Sequence, residues 1–379
     1  MDTATTTCDE FLRGQMSNNR SELTVRKFFA SIIVIWEALL FNSLPTQAAE
    51  EVPLAVPLIK LEYPGNPPNI RMLYVKVLSL GNRKINQPLL LDTGSSGMTI
   101  GCASVLPKKL CSVEGIKITK DLELDGITVT TQKAVMNYGT YDEYGNVALA
   151  RVTFGSRGSS VSTEASIPFL VRYKEVRRST GEIVGGRLWP KGIFGISPIG
   201  GGGPNQMLKS PMDAVSPRNG LRKGYYLSPI GTDWRACTNE EANCPAVKAL
   251  HIGISDSVKS GFNMDKWKTA SERYNFPTIG SCILLKEKTT CRPTLYDTGN
   301  STIVIADSPP KDSGGSMDVG TRVAVKIAML GEWKFDTSYG SELEFSPTIG
   351  HNIIGIRYFE TNSLLVDLEA KEIGIRIGN

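Results

Sequence analysis

Two stretches of this chain, PLLLDTG ending at Gly94 and RPTLYDTG ending at Gly299, run an apolar strand straight into an Asp-Thr-Gly turn. In each, a Ser follows at the second position past the Gly, Ser96 in one and Ser301 in the other. A short apolar run that meets a glycine reads as a buried strand whose end turns sharply. One such triplet weighs little, since a given tripeptide arises by chance in roughly one chain in ten of this length. Taken singly, each Asp is adequately explained as a turn residue. Two copies in matching frames point instead to one site assembled from two related halves.

The sequence around the triplets narrows the fold class. MLYVKVLSLG, GITVTTQKAVMNYG and NVALARVTFG precede the midpoint, and TRVAVKIAML and SLLVDLEAKEIGIRIG follow it. All are short alternating or apolar runs separated by Gly, Pro and Asn turns, and no long helical period competes with them. An all-β body is expected. The 379 residues suffice for two ordinary domains or one two-lobed body. Gly200 to Gly203, followed by Pro204, is the most linker-like point, although a long surface loop has the same composition. It divides the chain into an N-terminal extension at 1–49, a first lobe at 50–200 and a second at 201–379. Each lobe also carries two apolar residues and a Gly downstream of its triplet: Ile193-Phe194-Gly195 and Ile353-Ile354-Gly355.

Composition excludes several chemistries. Apolar residues at 41% and charged residues at 21% describe a globular chain, and a formal charge of +4 is too small to suggest nucleic acid as partner. Local basic clusters such as Arg172 to Arg178 read as solvated loops. With only two histidines, His251 and His351, imidazole-dependent triads and most zinc sites are disfavoured, and both rings read as structural. Carboxylates, hydroxyls or thiols must carry any chemistry, with no cofactor or metal. GSSG at Gly94 to Gly97 lacks the frame of a nucleophile elbow. GEIVGG and GGGGP lack the strand–loop–helix setting of a phosphate cradle.

At the N-terminus, Arg26 and Lys27 precede the apolar stretch Phe28 to Leu44, and small residues follow at Ala48 and Ala49. This is the pattern of a secretory leader, with the start at Met16 as an alternative beginning. A membrane anchor, interrupted by Glu37, and a buried helix are the other readings of residues 28–44. Cys8 lies ahead of the expected cleavage point, while Cys102 and Cys111, Cys237 and Cys244, and Cys282 and Cys291 fall in close pairs. Such spacing in an exported chain reads as local disulfides.

The paired frames resemble the pepsin family of aspartic endopeptidases, whose pattern is apolar-apolar-Asp-Thr-Gly-[Ser/Thr]-Ser in each lobe with a downstream apolar-apolar-Gly. The similarity spans about Tyr74 to the C-terminus and includes the closing segment IIGIRYFETNSLLVDLEAKEIGIRI. The resemblance implies a bilobal fold with a cleft between lobes and hydrolysis of an extended polypeptide by a water held between Asp92 and Asp297. It places Thr93, Gly94, Ser95, Thr298, Gly299 and Asn300 in the loops that support the pair, with Thr93 and Thr298 bonded across. It also implies a covering hairpin with Tyr138 and Gly139 near its tip, where Tyr141 and Tyr144 are rival candidates. Cys102–Cys111 and Cys282–Cys291 match the positions of the family's small disulfide loops. A monomer that meets a membrane only through its N-terminal segment is expected.

Three departures accompany the match. Thr99 stands where the family commonly has a Trp that partners the hairpin tyrosine, and Asn300 replaces the usual Thr or Ser. The stretch between leader and first strand shows no Lys-rich prosegment. A relative that binds a partner without cutting it is the alternative reading.

Overall fold

The computed structural model describes residues 52–63, 70–184, 192–198, 208–218, 220–234, 244, 246–269, 276–309 and 317–378. The expected leader, the glycine run at 200–203, Cys8 and Cys237 lie outside these residues. Nearly all regular structure is β, as the alternating pattern requires: the described helices are short turns such as Cys102–Val105 and Asp256–Ser260. Among the described residues no helix is long and apolar enough to cross a membrane.

The strands form one sixteen-stranded sheet and one of eight strands, with a two-stranded ribbon. In the larger sheet, Leu54–Tyr63, Ile70–Leu80 and Arg83–Asp92 follow one another antiparallel. On the far side of Leu54–Tyr63 the sheet continues through Ala246–Ile254, Arg222–Leu227, Ser363–Asp367 and Glu372–Arg376. The C-terminal strands therefore complete a sheet begun by the N-terminal ones. The smaller sheet is built around Pro277–Leu285 and Lys288–Tyr296. The result is a two-lobed all-β fold.

The internal repetition has a common register. Ile193, Phe194 and Gly195 lie parallel to Leu90, Leu91 and Asp92. Asn352, Ile353 and Ile354 lie parallel to Thr294, Leu295 and Tyr296. In each lobe the strand leaving the triplet, Ser96–Gly101 or Ile303–Ile305, pairs antiparallel on the other side of the apolar-Gly strand. The downstream glycines are required by this packing. A Cβ on Gly195 would stand 2.7 Å from the carbonyl oxygens of both Ser95 and Gly97. One on Gly355 would stand 2.2 Å from that of Thr302.

The core explains the alternation. In Arg322–Ile327 and Gly331–Asp336, Val323, Val325, Ile327, Trp333 and Phe335 turn inward while their neighbours face solvent. In the first lobe Leu91, Met98, Phe154 and Phe194 are fully buried, the two rings 4.8 Å apart. Cys102–Cys111 and Cys282–Cys291 are disulfides, the second joining directly opposed residues of a hairpin. Cys244 is also disulfide-bonded. His251 stacks on Tyr226 and meets Ser228, and His351 packs edge-on against Phe276.

One expectation fails. Arg172 does not sit on a solvated loop: it belongs to the strand Ile167–Arg177, and its side chain is only 11% exposed, between Glu143 and Glu175. Only the far end of that cluster, Arg177 and Arg178, reaches solvent. Alternation along this eleven-residue strand sends Phe169 and Val171 into the main core and turns Arg172 to the opposite face with Leu170, where Glu143 and Glu175 flank it.

Phe194 locks the triplet strand to its parallel neighbour, so Phe194→Ala is expected to lower unfolding free energy by about 3–5 kcal/mol. Urea denaturation followed by tryptophan fluorescence measures it.

Candidate active site

Asp92 ends the strand Arg83–Asp92, and Asp297 follows Lys288–Tyr296, so each carboxyl emerges where an apolar strand breaks into its glycine turn. The two loops are joined by a reciprocal set of four hydrogen bonds. The Thr93 N–H donates to Thr298 Oγ1 at 3.2 Å, and the Thr298 N–H donates to Thr93 Oγ1 at 2.9 Å. Each hydroxyl then donates onward across the interface, Thr93 to the Tyr296 carbonyl and Thr298 to the Leu91 carbonyl, both at 2.7 Å. Both threonines are buried. Each net bond contributes about 0.5–1.5 kcal/mol, but breaking one leaves buried groups unpaired, which costs more.

The cross-bonds bring the carboxyl groups together. A Cβ on Gly94 would stand 2.6 Å from the Asp297 carboxyl carbon, and one on Gly299 would stand 2.7 Å from that of Asp92. Each glycine thus leaves room for the opposite lobe's carboxyl, beyond the turn freedom that the sequence suggested. No non-glycine residue fits without displacing the pair.

The two carboxyls differ in what holds them. Asp92 Oδ1 accepts from the N–H groups of Gly94 (2.7 Å) and Ser95 (3.0 Å), and its Oδ2 accepts from the Ser95 hydroxyl at 2.6 Å. Asp297 Oδ1 accepts from the Gly299 N–H at 2.8 Å, with no hydroxyl to match Ser95. Asn300 occupies the equivalent position, but its Oδ1 is turned to the N–H and hydroxyl of Thr302. Burial, and then the adjacent Asp92 carboxyl, push Asp297 well above the usual carboxylate range; the Gly299 and Gly94 N–H groups oppose this only in part. Donors favour the ionised form, and Asp92 holds more of them than Asp297, so the two members of the pair are unequal in surroundings.

The covering hairpin is formed by Ile127–Asn137 and Tyr141–Ala150. Of its three tyrosines, Tyr138 lies close enough to feel the Asp92 charge. Its ring packs on Met136, Leu170 and Leu208 and on the cluster of Leu61, Met72, Tyr74, Leu90 and Ile193. Burial, and then the charges of Glu143 and Asp92, raise its phenol well above the ordinary value. Tyr141 lies instead under Arg177 and Tyr144 under Lys174. Gly139 is exposed in the turn with open space around it. Thr99 is fully buried, and its hydroxyl accepts from the Ile193 N–H at 3.0 Å. It holds the apolar-Gly strand in place at a position where a large side chain was expected.

Sequence reasoning did not find the buried charges at Glu143, Arg172 and Glu175, nor Tyr339, whose hydroxyl donates to the Ser301 carbonyl at 3.2 Å beside the second triplet. Neither follows a motif: Glu143 lies 29 residues from Arg172, and Ser301 lies 38 from Tyr339.

No protein-family model and no curated protein matches the sequence. Among solved structures, the aspartic proteinase from Irpex lacteus is similar in fold, with a TM-score of 0.54 and 14% sequence identity over 86% of this chain and 98% of that one. The fold is pepsin-like. At that identity the likeness concerns architecture alone.

Two outcomes follow from the geometry. Thr298→Val, which preserves shape but removes the hydroxyl, is expected to cost about 2–4 kcal/mol by leaving the Thr93 N–H and Leu91 carbonyl unpaired, measured by thermal or urea unfolding. Because Asp297 binds its proton more tightly when folded, its stabilisation is complete below the ordinary value of 3.8 and lost as pH rises toward the folded value. The Tm of wild type relative to Asp297→Asn is therefore expected to fall as pH is raised from about 4 to 7.

Proposed function

We propose that this chain is an aspartic endopeptidase that hydrolyses peptide bonds in extended polypeptides. The observation that carries the reading is the unequal carboxyl pair, one member holding three donors and the other pushed well above the usual carboxylate range by burial and by its neighbour. A water lying between them loses a proton to Asp92 as its oxygen attacks the scissile carbonyl carbon. Asp297 donates its proton to the carbonyl oxygen, which gives a neutral tetrahedral gem-diol. The proton taken by Asp92 then passes to the amide nitrogen, the C–N bond breaks, and a hydroxyl proton returns to Asp297 as the new carboxyl forms. Both carboxyls end as they began.

The supporting loops make this economical. Because the threonine bonds fix both turns, the carboxyls need no reorganisation as charge shifts between them. Tyr138 and its apolar surroundings exclude bulk water from one side of the pair. The turn of Asn300 toward Thr302 leaves Asp297 with fewer donors, which keeps it the acid of the pair.

Export is part of the proposal. The local disulfides Cys102–Cys111 and Cys282–Cys291 persist in oxidising compartments, and the leader-like segment at 28–44 supplies the route.

Digestion of an unfolded protein across pH 3–7, compared between wild type and Asp92→Asn, tests the reading. Cleavage is expected to be fastest in acid, to decline as Asp297 loses its proton, and to drop by about a thousandfold or more in Asp92→Asn. Tight binding of a statin-type peptide that mimics the gem-diol is expected alongside. Equal activity in the two proteins, or none in either, overturns it.

A further inference from the structure

Three buried polar atoms of the described hairpin lack a well-aligned hydrogen-bond partner: the Tyr138 hydroxyl, which lies beside the Thr99 side chain, Glu143 Oε2 and Asn146 Oδ1. Buried polar groups are ordinarily paired, so these call for an explanation. The first two are also complementary, a phenol O–H being a donor and a carboxylate oxygen an acceptor.

Their placement follows from strand register. Met136 and Glu143 face each other across the hairpin, and residues directly opposed project from the same face. Tyr138 lies two residues beyond Met136 and packs with it on Leu170 and Leu208, so it shares that face. Tyr138 is therefore the diagonal neighbour of Glu143, within the reach of long side chains.

Glu143 is itself fixed from behind. Its other oxygen, Oε1, accepts from Arg172 Nη1, and the same nitrogen donates to Glu175 Oε2 at 2.8 Å. Glu175 stands opposite Glu143 in the adjoining strand. Burial disfavours the guanidinium charge, but Glu143 and Glu175 outweigh it, so Arg172 stays ionised. A carboxylate buried beside a permanent cation, with one oxygen held and the other free, is a preset acceptor.

We propose that Glu143 is a positioning residue for the covering hairpin: its free oxygen takes the Tyr138 hydroxyl when the hairpin settles on a bound polypeptide, and Arg172 holds it ready to do so. This rests on the endopeptidase reading. The phenol stands between the Asp92 side of the cleft and the Glu143 side, and the Glu143 bond selects the arrangement in which the ring lies over the scissile peptide. Arg172 and Glu175 also line a cavity of about 560 Å³ behind the hairpin, walled by the Cys102–Cys111 bridge.

A double-mutant cycle tests this. Glu143→Gln keeps size and polarity while removing the charge, and Tyr138→Phe removes the hydroxyl alone. Each is expected to lower kcat/KM on a peptide substrate by about tenfold, mostly through kcat, with the double variant no worse than either single one. In full-length protein labelled with ¹³C at tyrosine Cζ, Glu143→Gln is expected to shift the Tyr138 signal on addition of a statin-type peptide relative to wild type. Additive losses in the cycle, or a Tyr138 signal indifferent to Glu143→Gln, overturn the proposal. Failure of the endopeptidase reading appears separately, as a wild type no faster than Asp92→Asn.

Discussion

Four hydrogen bonds between the Thr93 and Thr298 loops join the two halves of this molecule at the point where its charges are most costly. Each threonine satisfies a backbone N–H of the other loop and a carbonyl just upstream of the opposite Asp. Neither loop can therefore move without unpairing buried groups in both. The carboxyls of Asp92 and Asp297 are held together against their mutual repulsion, and the shared proton offsets that repulsion. The architecture around the pair serves the same end. The parallel apolar-Gly strands brace each turn from behind, and the glycines Gly195 and Gly355 let them approach closely enough to do so.

From this constraint follows the inequality of the two acids. The repeat gives both lobes the same turn, and a perfect repeat would give both carboxyls the same environment. A single position breaks the equivalence: Ser95 donates to Asp92, whereas Asn300 turns away to Thr302. Similar loops thus hold two carboxyls with unequal sets of donors, the inequality that the proposed acid–base hydrolysis uses.

The second charged centre, Glu143–Arg172–Glu175, obeys a different logic. Three ionisable side chains buried near the tip of a hairpin cost more desolvation than apolar side chains of similar volume would. Beside them stands Tyr138, the hairpin tyrosine that feels the Asp92 charge.

The chain's local patterns determined much of this by themselves. Short alternating runs with glycine turns fixed the all-β class, because a period of two has only one way to bury its apolar face. The paired triplets pointed to Asp92 and Asp297, since that signal is contiguous in sequence, while Tyr138 stood among rivals at Tyr141 and Tyr144. Only the tertiary structure decided that the two acids differ in surroundings, because that depends on donors counted in three dimensions and on burial between lobes. It alone turned Thr99 into a brace for Ile193 and assigned Tyr141 and Tyr144 to outward-facing cations. Arg172 also escaped the sequence: in a run of basic residues it looks solvated, and only the strand packed beside it, which brings Glu143 from 29 residues away to join Glu175 three residues on, places it inside. Interactions set by neighbours along the chain were legible; those set by partners across the fold were not, because residue spacing in sequence carries no record of them.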